Sequence, residues 1–189
     1  MATHELLHLT HPLGAQDAAL EAVRTRSHRH GPPIAVWNAE TGTQNRIVSL
    51  WALDGDRSVP ATTGGEDWLD GDHVSRTLEA CRPVAADSLR APLVELRCYA
   101  PHPGQCGSFV TALLDALPHR ERHSPCAGLW TTRQRDRDVV VHLWPYASYD
   151  ARLAARAAAH RDPAWGEYRA RIRPMLAAMH ATLMSPVAL

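Results

Sequence analysis

The stretch LWTTRQRDRDVVVHLW, residues Leu129–Trp144, predicts a β-hairpin, because β-branched and aromatic residues flank a short charged turn. An earlier stretch, VWNAETGTQNRIVSLW (Val36–Trp51), has the same arrangement, and each of the two places a pair of tryptophans 14 positions apart. A hairpin that occurs twice suggests that the chain contains an internal duplication.

Two further pairs of segments support the duplication. Glu5 and Glu95 each open an apolar run, and a glycine follows each of them by nine residues. The segment RPVAADSLRAP (Arg82–Pro92) is echoed by RPMLAAMHATLMSP (Arg173–Pro186). All three correspondences occur in the same order, so we expect two units, residues 1–91 and residues 92–189.

Each unit predicts the order strand, helix, strand, strand, helix, strand. In the second unit we expect a first strand at Val94–Tyr99, a helix at 104–118 and a last strand at Met179–Met184. The segment YDARLAARAAAHR favours helix, and Pro163 fits the first turn of another helix. In the first unit the glycines and aspartates of ATTGGEDWLDGDH (61–73) predict a loop in place of the second helix.

This order is the ferredoxin-like βαββαβ pattern, in which helices cover one face of an antiparallel sheet. The other face needs cover, and two linked units can provide it for each other by packing sheet on sheet. The predicted fold class is therefore α+β, with two fused ferredoxin-like units that form a pseudo-dimeric α/β barrel.

Composition excludes several classes of protein. The 20 basic residues are all arginine, which rules out a Schiff-base lysine, and they balance 20 acidic residues, which argues against a nucleic-acid partner. The four cysteines form no C-x-x-C pair, and neither a signal peptide nor an apolar run of membrane-spanning length is visible. We expect a soluble, reduced, cytoplasmic protein without membrane association, and the arginine and alanine bias suggests a GC-rich bacterial genome.

Four motifs of the C-terminal unit together carry a family resemblance, namely LVELRCYAPHPG (Leu93–Gly104), HSPCAGLWTT (His123–Thr132), VVHLWPYASYDAR (Val140–Arg152) and DPAWGEYRARIRPML (Asp162–Leu176). By these motifs the unit resembles the NIPSNAP family of dimeric α/β-barrel proteins. The N-terminal unit looks like a degenerate copy. The resemblance implies a cavity beside the sheet that binds a small hydrophobic molecule, since related barrels include cofactor-free monooxygenases and cyclases that act on polyketides, and others that handle haem.

Strand alternation predicts a polar cluster in the C-terminal unit. One face of the hairpin's second strand carries Val140, His142, Trp144 and Tyr146, and the aliphatic face that remains would pack under the helices. One face of the unit's first strand carries Glu95, Arg97 and Tyr99. The matching positions of the N-terminal unit are Glu5, Leu7, Leu9 and Ser49, so the arginine, tyrosine and histidine belong to one unit.

These side chains could perform acid–base chemistry. His142 could act as general base or acid, Arg97 could stabilise an enolate or phenolate, and Tyr99 could donate a hydrogen bond, with Glu95 beside them. The residues expected to bind an aromatic substrate are Trp130, Trp144, Tyr146, Trp165 and Tyr168. The alternative is structural: Glu95 and Arg97 would form an ion pair, and His142 would be a satisfied residue between the sheets.

Other candidates are weaker. His119 and His123 lie four apart with Glu121 between them, but no third metal ligand is nearby, so we expect no metal site. His160 and His180 could ligate haem, although no covalent haem motif is present. Cys106 lies near a helix start, where a thiol pKa can fall, but no base is identifiable.

The first functional hypothesis is therefore a small-molecule enzyme of bacterial secondary metabolism. It would use no bound cofactor and would cyclise, isomerise or oxygenate an aromatic or polyketide-like substrate. The alternative is a non-catalytic protein that binds a hydrophobic metabolite or assembles with another chain, and a haem-binding barrel comes third. Whether the fused units pair again into a homodimer through exposed strand edges stays open.

Overall fold

The computed structural model describes residues 2–53, 73–134 and 136–189. Its strands are β1 (Thr3–Thr10), β2 (Ala35–Ala39), β3 (Arg46–Leu53), β4 (His73–Ala80), β5 (Leu93–Pro101), β6 (Gly128–Gln134), β7 (Arg137–Tyr146) and β8 (Leu176–Pro186). Its α-helices are α1 (Gln16–His30), α2 (Cys106–Glu121), α3 (Tyr149–Arg161) and α4 (Pro163–Ile172). Within these residues no helix is both long enough and apolar enough to cross a membrane.

The strands form one closed barrel in the order β1-β3-β2-β8-β5-β7-β6-β4. The N-terminal strands run β4-β1-β3-β2 and the C-terminal strands run β8-β5-β7-β6, so the two halves share one topology. That order is the ferredoxin-like one, and the predicted α+β pseudo-dimeric barrel is confirmed.

Closure occurs at the sheet edges. Residues Trp37 to Ala39 of β2 pair with β8, and Glu79 and Ala80 of β4 pair with β6. The two sheets thus join edge to edge and enclose a common interior, where the sequence had suggested two sheets packed face to face. A barrel closed in this way leaves few free backbone groups at the joined edges.

The interior is filled by the aliphatic faces of the strands. Val94, Leu96, Val139, Val141 and Leu143 all belong to the buried cluster inside the barrel. The expectation that Val139, Val141 and Leu143 pack under the helices is wrong, because both halves must fill the enclosed space with apolar side chains. The mixed faces of β5 and β7 consequently point outward, toward α2, α3 and α4.

The helices follow their sequence signals closely. Ser148 caps α3 by accepting a hydrogen bond from the Ala151 N–H, and Asp162 caps α4 by accepting from the N–H groups of Ala164 and Trp165. Pro163 occupies the first turn of α4, as predicted. The loop predicted for 61–73 lies outside the described residues, except for His73 at the start of β4.

Candidate functional site

A cavity of about 690 Å³ lies on the outer face of the C-terminal strands, between β5, β7 and β8 and the three helices α2, α3 and α4. Its walls include four residues of the predicted polar cluster, namely Glu95, Arg97, Tyr99 and His142. The mixed faces therefore line a cavity on the helical side of the sheet. This placement excludes the alternative in which His142 lies between the two sheets.

Glu95 is the carboxylate at the centre of this site, and its side chain is fully buried. One of its oxygens accepts a hydrogen bond from Arg97 at 3.0 Å, and the other accepts from Arg152 at 2.6 Å and lies 3.5 Å from Arg156. Burial by itself would raise the pKa of Glu95, but the hydrogen bond from Arg152 and the charge of Arg97 lower it to about 2. Glu95 is therefore ionised and serves to hold the three guanidinium groups together.

His142 is buried and electrically neutral. Its Nδ1 accepts a hydrogen bond of 2.6 Å from the indole N–H of Trp144, so the proton of the neutral ring must reside on Nε2. Burial and the nearby charge of Arg97 lower the pKa of His142 well below 6.5. Its Nε2 is buried and has no hydrogen-bond partner among the described residues. The imidazole is thus a fixed N–H donor on the cavity wall.

Tyr99 and Trp144 hold the imidazole from two sides. The ring of Tyr99 meets His142 edge to face with centroids 4.8 Å apart, and the corresponding distance to Trp144 is 5.8 Å. The Tyr99 hydroxyl accepts a hydrogen bond of 3.3 Å from Arg97. Because aromatic rings and an arginine fix its position, His142 cannot rotate freely.

Arg120, which was not among the predicted site residues, lies on α2 and forms part of the cavity wall. Its guanidinium carbon lies 4.8 Å from the ring centre of Trp144 and 6.0 Å from that of Trp165. It also donates a hydrogen bond of 3.1 Å to the hydroxyl of Tyr146. The signal was present, because Arg120 continues the buried stripe of α2 that includes Leu113, Ala116 and Leu117.

The aromatic residues predicted to bind substrate fall into three groups. Trp144, Trp165 and Tyr168 line the cavity, and the rings of the last two lie 4.5 Å apart. Tyr146 stands behind the wall, where its hydroxyl lies 3.5 Å from a Glu95 oxygen. Trp130 is placed elsewhere, in the buried cluster inside the barrel. Its strand partner is Val141, whose side chain also points inward. The prediction that Trp130 binds substrate is therefore wrong, because the hairpin register directs its side chain into the barrel and away from the cavity.

The N-terminal half has a similar arrangement of buried groups, but apolar side chains occupy the space around them. Glu5 is fully buried and pairs with Arg26 of α1, and it also accepts a hydrogen bond from Ser75. Trp51 donates to Ser49 at 2.9 Å, at the position where Trp144 donates to His142. The surrounding space is packed with a buried cluster of apolar side chains, namely Leu7, Leu20, Val23, Val36, Ile47 and Trp51.

The remaining candidates are engaged elsewhere or stay untested. Glu121 pairs with Arg82, and His119 lies 3.8 Å from Asp162, so these two side chains do not converge on one ion. Burial and nearby acidic groups raise the pKa of the Cys106 thiol to about 11, contrary to an activated nucleophile. Two histidines line the cavity, and haem ligation by them stays a prediction: His160 and His180.

The sequence and the fold are similar to known proteins. The Protein NipSnap homolog of Dictyostelium discoideum is 30% identical over 95 residues, which are 50% of this chain and 43% of that protein. Protein NipSnap of Drosophila melanogaster is 24% identical over 170 residues, which are 81% of this chain and 62% of that protein. The chain thus spans about half the length of these curated relatives.

Two solved structures share the barrel over its whole length. An anthrone oxidase-like protein is 12% identical with a TM-score of 0.66, and the match covers 99% of this chain and 92% of that one. A monooxygenase-like protein from Fusobacterium nucleatum is 8% identical with a TM-score of 0.58, and the match covers 99% and 93%. At such low identities the likeness shows the fold alone.

The sequence model of the NIPSNAP family matches residues 94–189. The matched region is half of the chain, and it runs from β5 to the C-terminus, so it contains every wall of the cavity. This chain belongs to the NIPSNAP family.

Proposed function

We propose that the protein is a small-molecule enzyme of bacterial secondary metabolism that performs acid–base chemistry on an aromatic, polyketide-like substrate without a bound cofactor. One observation carries the proposal. The side chains of His142 and Tyr99 and several arginines line one cavity together with Trp144 and Trp165, whereas the matching region of the N-terminal half is packed with apolar side chains.

We propose for His142 a different role from the general base that its residue type suggested. Its Nδ1 is occupied by Trp144, and its Nε2 carries the proton. A neutral imidazole of this kind donates a hydrogen bond to a substrate oxygen and stabilises negative charge that develops there. Arg97 lies beside it on the neighbouring strand and adds a positive charge. His142 therefore polarises a substrate carbonyl and does not remove a proton.

His160 is the best placed proton acceptor. It lies in the last turn of α3, lines the cavity and is exposed to solvent. Burial and the nearby Arg169 lower its pKa, so its neutral form, which can take a proton, prevails at neutral pH. Glu95 is a poor acceptor in comparison, because three arginines already bind it.

An anthrone is a suitable test substrate, because it is a planar aromatic ketone with an acidic CH₂ group opposite the carbonyl. Removal of that proton gives an enolate, which molecular oxygen oxidises. One anthrone and one O₂ yield one anthraquinone and one water, so no other oxidant is required. The anthrone oxidase-like protein with the same barrel supports this choice.

The test measures oxygen uptake and anthraquinone absorbance with dihydroxyanthrone, above the rate of autoxidation without protein. His142→Ala should lower turnover roughly a hundredfold, as expected for loss of a donor to a developing oxyanion. Ser49→Ala is the matched control, since Ser49 occupies the equivalent position and accepts from Trp51. It should leave turnover unchanged. Undiminished turnover by a folded His142→Ala protein would contradict the proposal.

The alternative is a non-catalytic protein that binds an aromatic metabolite. It is favoured by the number of polar groups that already bind one another, since Glu95 holds three arginines and His142 holds Trp144. This function predicts saturable binding of anthrones, followed by no product after prolonged incubation in oxygenated buffer.

A further inference from the structure

The charge of the cavity is unlike that of the chain. The whole sequence has 20 arginines and 20 acidic residues, yet among the described residues the cavity wall contains six arginines and a single carboxylate, Glu95. The arginines are Arg97, Arg120, Arg152, Arg156, Arg169 and Arg173. A wall with the same ratio of arginines to acidic residues as the whole chain would be nearly neutral. The excess positive charge needs an explanation.

Glu95 cannot neutralise this excess, because one carboxylate is shared by three arginines. Arg97 and Arg152 are about nine-tenths buried, with 11% and 13% of their side chains exposed. Like charges held close together in a buried site repel each other unless anions balance them. The network around Glu95 is therefore short of negative charge.

Arg120 is the most buried of the six, with 2% of its surface exposed. It donates one hydrogen bond to Tyr146, and its Nη1 has no partner among the described residues. Burial and the charge of Arg97 both lower its pKa. A guanidinium offers two parallel N–H groups that match the two oxygens of a carboxylate.

Arg169 and Arg173 bring positive charge to the exposed side of the cavity. They extend from α4 and from the turn that follows it, and both are exposed. Neither forms an ion pair with any residue that the structure describes. The charges of Arg169, Arg156, Arg120 and Arg97 all act to lower the pKa of His160, which lines the same cavity.

We propose that the ligand of this cavity is an aromatic carboxylate, whose ring packs against Trp144, Trp165 and Tyr168 and whose anionic group is held by the surplus arginines. The inference rests on the proposed function in one respect, that the cavity receives an aromatic small molecule. The new element of the proposal is the negative charge of that molecule. An aromatic acid fits a wall that combines stacking surface with unbalanced guanidinium groups.

The test compares binding of 1-hydroxy-2-naphthoate and its neutral amide by calorimetry at neutral pH. The carboxylate should bind at least tenfold more tightly, and its affinity should fall as salt is added. The double variant Arg169→Gln with Arg173→Gln should weaken binding of the carboxylate about tenfold and leave binding of the amide unchanged. Both arginines are exposed, so the variant should fold, and a thermal unfolding curve checks this.

Arg171→Gln is the matched control. Arg171 is an exposed arginine of the same helix, but it does not line the cavity, and its loss should leave the affinity unchanged. Equal affinity for the carboxylate and the amide, or equal effects of Arg171 and the Arg169/Arg173 pair, would overturn the proposal. Tighter binding of 1-naphthyl phosphate than of the carboxylate would overturn the choice of anion.

Different experimental outcomes contradict the proposed enzyme activity and the proposed anion site. If the naphthoate binds selectively but dihydroxyanthrone is never converted, the anion site stands and the catalytic proposal falls. If the anthrone is converted but the cavity shows no preference for the carboxylate, the catalytic proposal stands and the anion site falls.

Discussion

At the scale of single residues, His142 and Ser49 show what the barrel needs at this strand position. Each accepts a hydrogen bond from the indole N–H of a tryptophan two residues further along, in its own half of the chain. A buried indole N–H requires an acceptor, and a serine hydroxyl is sufficient. What the histidine adds is a second nitrogen, Nε2, in a side chain that lines the cavity, and this nitrogen has no hydrogen-bond partner among the described residues. The duplication thus separates the structural role of this position from its candidate chemical role.

The low pKa of His142 should make stability depend on pH. Burial and Arg97 lower its pKa well below 6.5 in the folded chain, whereas in the unfolded chain it lies near 6.5. Below pH 6.5 the unfolded chain therefore binds a proton that the folded chain does not. The free energy of unfolding should fall as pH drops, by up to about 1.4 kcal/mol per pH unit, and this residue should contribute no such slope above pH 6.5.

Urea unfolding on both sides of pH 6.5 measures this contribution. His142→Gln keeps an acceptor for Trp144 but cannot be protonated, so it should lose less stability between neutral and mildly acidic pH than the wild type. His28→Gln replaces an exposed histidine of α1 and should lose as much as the wild type. An equal loss in the wild type and in His142→Gln would mean that His142 is protonated in the folded state.

At the scale of secondary-structure elements, strand alternation predicted which residues share a face but gave the wrong direction to the aliphatic face. The set that includes Val139 and Val141 lies inside the barrel, and the polar set lies under the helices. Either face of a strand buried on both sides can be apolar, so the pattern alone does not say which one faces a helix. The direction follows from how the two sheets close, which is a property of the whole chain.

The hairpin of β6 and β7 depends on a glycine. A Cβ atom added to Gly128 would lie 2.1 Å from the indole ring of Trp130, which is fully buried and cannot move aside. Gly128→Ala should therefore lower the free energy of unfolding by roughly 2 kcal/mol, within the range found for overpacked cores. Thermal or urea unfolding would measure the change.

Gly107 provides the control for this substitution. It lies in the first turn of α2, and an added Cβ would meet no atom within 4 Å. Gly107→Ala should be neutral or stabilise the protein by up to about 1 kcal/mol, because alanine favours helix. A Gly128→Ala protein as stable as the wild type would show that Trp130 can shift.

At the scale of the whole molecule, the sequence predicted the duplication, the barrel, and the cluster of Glu95, Arg97, Tyr99 and His142. It did not predict the arginines that α2, α3 and α4 bring to the same cavity, such as Arg120 and Arg156. Arg120 continues the buried stripe of α2, but nothing in the spacing of the other arginines separates those that face a cavity from those that face water, because arginines are common on exposed helix faces. The positive charge of the site therefore became visible once the helices were packed against the sheet.

The pseudo-symmetry of the barrel leads to a prediction about its halves. In the intact chain β6 pairs with β4 and β8 pairs with β2, and each of these contacts joins an outer strand of one half to an outer strand of the other. The C-terminal half has the same strand order as its partner, so β8 of one copy can take the place of β4 against β6 of a second copy. The family match to residues 94–189 alone is consistent with such a unit.

We therefore expect residues 92–189, produced separately, to form a homodimer whose two copies close one barrel. A folded monomer would expose the edges of β6 and β8 together with the apolar face that includes Leu96 and Val141, which is energetically costly. Sedimentation velocity at micromolar concentration should give twice the mass of the fragment. The intact chain should not dimerise through β6 and β8, because its own N-terminal half already pairs with both of these edges. A fragment that is folded and monomeric would contradict both this mode of closure and the proposed boundary near residue 91.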